Sequence, residues 1–98
     1  MGCYFMVSVR IDRPDKRPLY EEYIRRVKPL VESFGGEYLV RSEHLEYGGG
    51  DWRPDRVIVI RFPDRAALDR CFGSPEYAEM KDLRIASVAA SVVIAEGR

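Results

Sequence analysis

Val57-Ile58-Val59-Ile60, inside the stretch RVIVIRFPD at residues 56–64, constrains this chain more than any other feature. Four consecutive β-branched residues favour a strand, and a strand sends successive side chains to opposite faces. Val57 and Val59 therefore point one way, and Ile58, Ile60 and Phe62 the other. A sheet with one wet side alternates apolar with polar residues, whereas this strand is apolar on both. Whatever the chain folds into must cover one strand twice.

Flanking segments supply the first cover. Cys3 to Ile11 alternates: Cys3, Phe5, Val7, Val9 and Ile11 share one strand face, with Tyr4, Met6, Ser8 and Arg10 on the other. The RPDKRP turn leads to Pro18, well suited to a first helical turn, with Glu21 and Glu22 near the positive end of the helix dipole. Tyr20, Tyr23, Val27, Leu30, Val31 and Phe34 then recur at helical spacing, which predicts a helix over about 17–34. Pro29 removes one backbone donor inside it, so a kink or break is expected there, and Gly35-Gly36 reads as a left-handed cap. A second strand is expected over 37–41, continuing irregularly through His44 to Tyr47, with a loop over 48–55 and the third strand over 56–62. Asp64 reads as the N-cap of a helix that buries Ala67, Leu68, Cys71 and Phe72 and stops at Gly73. Ser74-Pro75-Glu76 starts another, carrying Tyr77, Met80, Leu83, Arg84 and Val88, before a fourth strand over 91–96.

The order β-α-β-β-α-β is that of the ferredoxin-like α+β sandwich, one antiparallel sheet with its helices on one face. Such a sheet leaves the other face open, yet Val57, Val59, Tyr4 and Met6 point there, and strand four is apolar on both faces. Leaving such side chains wet forfeits about 1.5–3 kcal/mol each. A second copy of the sheet is the simplest cover, so a homodimer joined through the face opposite the helices is expected.

With 98 residues the chain makes one domain, residues 1–98. Lys plus Arg and Asp plus Glu number 16 each, so no net field draws polyanions, and strand three lacks the exposed aromatics on which RNA recognition motifs stack bases. No nucleic-acid partner is expected. No segment approaches the roughly 20 apolar residues of a membrane span. Gly2 follows Met1, but Met6 stands where N-myristoylation wants Ser or Thr, and the short apolar run lacks a basic leader; a cytoplasmic protein with no membrane partner is expected. Cys3 and Cys71 form no CxxC pair and read as reduced and buried. Arginine outnumbers lysine 13 to 3, which suits interfaces and small anions.

FGGEYLVRS, GDWRPDRVIVIRFPDRAAL and SPEYAEMKDLR together resemble the family catalogued as domain of unknown function 1330, over nearly the whole chain from Tyr4 to Gly97. The resemblance implies a small dimeric α/β barrel in which two ferredoxin-like sheets pack face to face. It implies no particular chemistry; relatives by fold include cofactor-free monooxygenases, lactone isomerases and stress-response barrels. Gly35, Gly36, Tyr38, Arg41, Asp51, Trp52, Ser74, Tyr77 and Arg84 stand at the family-like positions.

These residues define the candidate site. In one reading the only Trp, Trp52, walls a pocket at the barrel mouth, Asp51 and Arg41 anchor a ligand, and Tyr77 and Arg84 reach in from the last helix, a mostly apolar pocket with a few convergent polar groups. In the other, favoured because a buried sheet face already demands an interface, Trp52 anchors the dimer. Arg41 and Arg84 either grip a carboxylate or phosphate, or, as expected for each taken alone, pair with Glu43, Asp51, Glu79 or Asp82. His44, the only histidine, and Tyr77 are the candidate acid–base residues; His44 needs an orienting carboxylate, which Glu46 offers if strand two persists. No HxH, HExxH or CxxC is present, so neither metal nor other cofactor is expected. Gly48-Gly49-Gly50 leads into a strand and is no phosphate cradle. Two functions follow: a homodimer holding a small, partly apolar or anionic metabolite, acting as a binding protein or a cofactor-free monooxygenase or isomerase, or a non-catalytic structural or regulatory protein with a filled interior.

Overall fold

The structure, a computed structural model, describes residues 2–98; Met1 lies outside the described residues. Four strands, β1 (Gly2–Arg10), β2 (Glu37–Ser42), β3 (Arg56–Phe62) and β4 (Ala89–Gly97), form one antiparallel sheet in the order β2-β3-β1-β4. Three helices, α1 (Arg17–Ser33), α2 (Arg65–Phe72) and α3 (Pro75–Ser87), lie on one face. This is the ferredoxin-like α+β arrangement, its second helical segment divided at Gly73 and Ser74.

Local chemistry explains where the helices begin and end. Asp64 caps α2 by accepting from the Ala67 N–H at 2.8 Å, and Ser74 caps α3 by accepting from the Tyr77 N–H at 3.2 Å. At the end of α1 the Gly36 N–H returns to the Val31 carbonyl and the Gly35 N–H to the Glu32 carbonyl, both at 3.0 Å. That Schellman closure requires a left-handed residue, and Gly35 takes it at φ 84°. Pro29 does not break α1, which runs unbroken over 17 residues. The proline is exposed, so the carbonyl deprived of its donor, that of exposed Arg25, faces water, while Tyr20, Tyr23, Val27 and Val31 hold the opposite stripe in the core.

Strand β2 ends at Ser42 rather than continuing to Tyr47. The Ser42 Oγ accepts from the His44 N–H at 2.9 Å, which turns the chain off the ladder, so His44 and Glu46 share no strand face. The loop that follows is tied down at its far end. The Tyr47 hydroxyl donates to the Pro54 carbonyl at 2.6 Å, Arg53 lies over the Tyr47 ring, and the Ile11 N–H donates to the Asp55 carboxylate at 2.7 Å.

Register settles the two faces. Under the helices run the rows Ile94-Phe5-Ile60-Tyr38 and Val92-Val7-Ile58-Arg41, each crossing all four strands. On the open face Val93, Met6, Val59 and Val40 make an equivalent row, and Val93 is 60% exposed. The helical layer buries Ile58, Ile60 and Phe62 but stops short of β4, where Val92 and Ile94 stay exposed. Cys3 and Cys71 are buried free thiols. Among the described residues no helix is long and apolar enough to cross a membrane.

Candidate functional site

Within the core between sheet and helices lies a small cavity. Its floor is Phe5, Val7, Val9, Ile58 and Ile60; its roof is Tyr20, Tyr23, Val27 and Val31 of α1; its walls include Tyr38, Arg41, Arg56, Phe72, Tyr77 and Arg84. It offers about 80 Å³ to the centre of a water-sized sphere, room for roughly five waters. The lining is apolar apart from four tyrosines and three arginines, and it contains no carboxylate.

Each polar side chain is delivered by a recognisable feature. Tyr38 and Arg41 both lie on the covered face although strict alternation over three residues separates them. A register irregularity between Tyr38 and Val40 restores the match, setting Tyr38 opposite Ile60 and Arg41 opposite Ile58. Tyr77 and Arg84 are seven apart on α3, two helical turns, and so share its inner face. The Phe72 ring meets Tyr77 edge-on at 5.0 Å and fixes its plane. Arg56 opens β3 in phase with Ile58 and Ile60, so its guanidinium lies under the Tyr20 ring at 6.0 Å.

The Tyr23 and Tyr77 hydroxyls meet at 3.0 Å across the cavity roof. Burial, and then the Tyr77 hydroxyl, push the Tyr23 phenol far above its ordinary range. Burial likewise raises Tyr20 against the opposing charge of Arg56, and carries Tyr38 up to about 12 against the charge of Arg41, which stacks over its ring at 5.4 Å. Tyr20, Tyr23 and Tyr38 are therefore protonated donors at neutral pH. Burial works against the charge of Arg84, but the neighbouring Tyr77 and Tyr23 hydroxyls outweigh it and hold the guanidinium above its ordinary value.

Ion pairing departs from expectation. Glu43 takes two bonds from Arg17, at 2.9 and 2.8 Å, and one from the Arg56 Nη1 at 3.2 Å. Among the described residues neither Arg41 nor Arg84 forms an ion pair with Glu43, Asp51, Glu79, Asp82 or any other carboxylate. The Nε of Arg56 is buried without a partner. Arg17 and Arg56 are thus paired, with Glu43 and, for Arg17, also with Glu21 at 3.7 Å, whereas Arg41 and Arg84 bring two guanidinium groups without an ion-pair partner among the described residues to a lining that holds no acid.

The candidate residues divide into groups. Arg41, Tyr77 and Arg84 meet at the cavity. Asp51 and Trp52 stand elsewhere, beside Ser8, Arg10 and Ser91 in an open depression of about 200 Å³ on the open face, and Trp52 is 66% exposed. His44 lines neither. Sequence reasoning overlooked Arg56, Tyr20 and Tyr23 as site residues. Arg56 had a signal: a charged residue in the covered phase of a buried strand needs a reason to be there.

Fold and cavity together define a small ferredoxin-like α+β protein with an internal cavity lined by apolar side chains, four tyrosines and three arginines. Among solved structures it is similar to a protein of unknown function from Rhodopseudomonas palustris, at 23% identity over 99% of this chain and 82% of that one, TM-score 0.77. It is similar also to a dimeric ferredoxin-like protein of unknown function from Jannaschia, at 18% identity over 99% and 100%, TM-score 0.82. A third is SnoaB, a cofactor-independent oxygenase from Streptomyces nogalater, at 13% identity over 99% and 93%, TM-score 0.71. At these identities the likeness is one of fold. No curated protein matches. The family profile of Domain of unknown function (DUF1330) matches residues 2–98, and the chain belongs to that family.

Proposed function

We propose that this protein is a homodimer whose protomers each hold a small, partly apolar organic anion in the cavity between sheet and helices, with Arg41, Arg56, Tyr77 and Arg84 as its polar contacts. The observation that carries this reading is the imbalance of the lining: three arginines and no acid in an apolar enclosure. Of the three, buried Arg56 already meets Glu43, while partly buried Arg84 and exposed Arg41 have no ion-pair partner among the described residues, and a bound anion would give them one. Dimerisation uses the open face, where Val93, Met6, Val59 and Val40 present an apolar row and Trp52 lies alongside. The fold that this chain shares with a cofactor-independent oxygenase and with a dimeric protein supports both halves. If the cavity supports catalysis, the chemistry is of the cofactor-free oxygenation or isomerisation kind.

A thermal-shift panel of aromatic acids, quinols and lactones tests it. A ligand at a hundred times its Kd stabilises the fold by about 2.7 kcal/mol. The reading expects such a shift in wild type that shrinks in Arg41→Gln and Arg84→Gln and survives in Arg53→Gln, whose side chain stacks on Tyr47 away from the cavity. A panel without a single hit counts for a purely structural protein.

A further inference from the structure

The cavity's ionisable lining consists of tyrosine and arginine alone, with no Asp, Glu, His, Cys or Lys. Arg41 and Arg84 enter from different elements, β2 and α3, without ion-pair partners among the described residues, and Arg56, its side chain 10% exposed, adds a third guanidinium that is paired with Glu43 outside the lining. A neutral ligand entering this space strips water from these groups and returns at best neutral acceptors for it. An oxyanion instead accepts charge-assisted hydrogen bonds, roughly twice as strong as neutral ones.

We infer that the cavity is an oxyanion-selective site, taking organic acids with a small apolar body only in their deprotonated form. This rests on the binding reading above and names the ligand class within it: carboxylates, phenolates or enolates. A weak acid that enters must leave its proton behind. Its O–H bond breaks, the electron pair stays on oxygen opposite the arginines, and the proton passes to solvent, because the lining offers no carboxylate, imidazole or amine to take it. Tyr20, Tyr23 and Tyr38, all held protonated by burial, stay on the donor side of the exchange. The site therefore acidifies its ligand with positive charge rather than with a base.

4-Nitrophenol is a direct probe, since its phenolate absorbs in the visible and its phenol does not. Titrated with pH in saturating wild-type protein, it is expected to show an apparent pKa at least about one unit lower than free in buffer, a tenfold preference for the anion. Arg41→Gln and Arg84→Gln each shrink the shift, and Arg53→Gln leaves it intact. Arg41 is exposed, so its variant folds even if the other does not, which circular dichroism checks. Displacement of the probe by benzoate against benzamide separates carboxylates from phenolates: benzoate competing at least tenfold better extends the site to both, and benzoate failing where the phenolate binds restricts it to phenolates and enolates. A bound probe with unshifted pKa, or benzamide equal to benzoate, overturns the inference and the anionic part of the binding reading, and leaves a small-molecule site in the cavity standing. If neither neutral nor anionic probes bind, both fall.

Discussion

Glu43→Gln probes the charge network that seats Arg56 beneath Tyr20. The Arg56 side chain is 10% exposed and its Nε already lacks a partner, so loss of the carboxylate leaves a buried cation with one weaker amide acceptor. A hydrogen bond to a charged group contributes about 1.5–3 kcal/mol. The Glu43 side chain is 34% exposed, and water screens the pair, so the lower figure of about 1.5 kcal/mol applies. The more exposed bond pair from Arg17 adds about 0.5 kcal/mol. The sum, about 2 kcal/mol, lowers Tm by about 8–16 °C in a domain of this size. Thermal and urea unfolding followed by circular dichroism, at one fixed protein concentration, measure it. Acid supplies a second check. The Arg17 hydrogen bonds, opposed by burial and helped by the Arg17 and Arg56 charges, hold the Glu43 carboxyl below its ordinary value. A depressed folded pKa contributes stability that is complete above the unfolded value of about 4.3 and disappears as pH falls through the folded one. The wild-type advantage must therefore be full at neutral pH and shrink below about pH 4. A difference under about 0.5 kcal/mol at neutral pH, where an exposed surface pair would leave it, or one indifferent to acid, refutes the network.

Other perturbations address separate parts of the molecule. Gly36→Ala places a Cβ 2.9 Å from the Val31 carbonyl oxygen and 3.1 Å from the Phe62 ring, and overpacking of this kind costs about 1–3 kcal/mol; urea unfolding should show it, and an unchanged midpoint contradicts the tight seat at the end of α1. Burial pushes the Cys71 thiol up to about 11, so a disulfide reagent at neutral pH should leave the native thiol unmodified and label it promptly in urea; fast native labelling contradicts the burial. Val93→Glu introduces like charges across the proposed two-fold face, and light scattering should find the population moved toward monomer with cavity binding retained; a variant that stays dimeric places the interface elsewhere.

How much of this was legible beforehand follows the range of the interaction involved. Asp64, Ser74 and the Gly35-Gly36 pair announced the helix ends because capping is settled among residues a few positions apart. Period two in β1 and β3 announced both sheet faces for the same reason. Longer-range choices stayed open. Which of several acids meets which arginine depends on elements distant in the chain: Arg17 on α1 and Arg56 on β3 both reach Glu43, and Arg41 and Arg84 are left free to face the cavity. The irregularity in β2 that turns Arg41 under the helices comes from pairing with β3, not from EYLVRS itself. Trp52, next to Asp51 in a loop, goes to the open face because the loop's ties, Tyr47 to Pro54 and Ile11 to Asp55, lead it there. Strand, helix and cap are local agreements between neighbouring residues, and the amino-acid order alone decided them. The cavity and its unbalanced charge arise where separate elements meet, and only the assembled chain decided those.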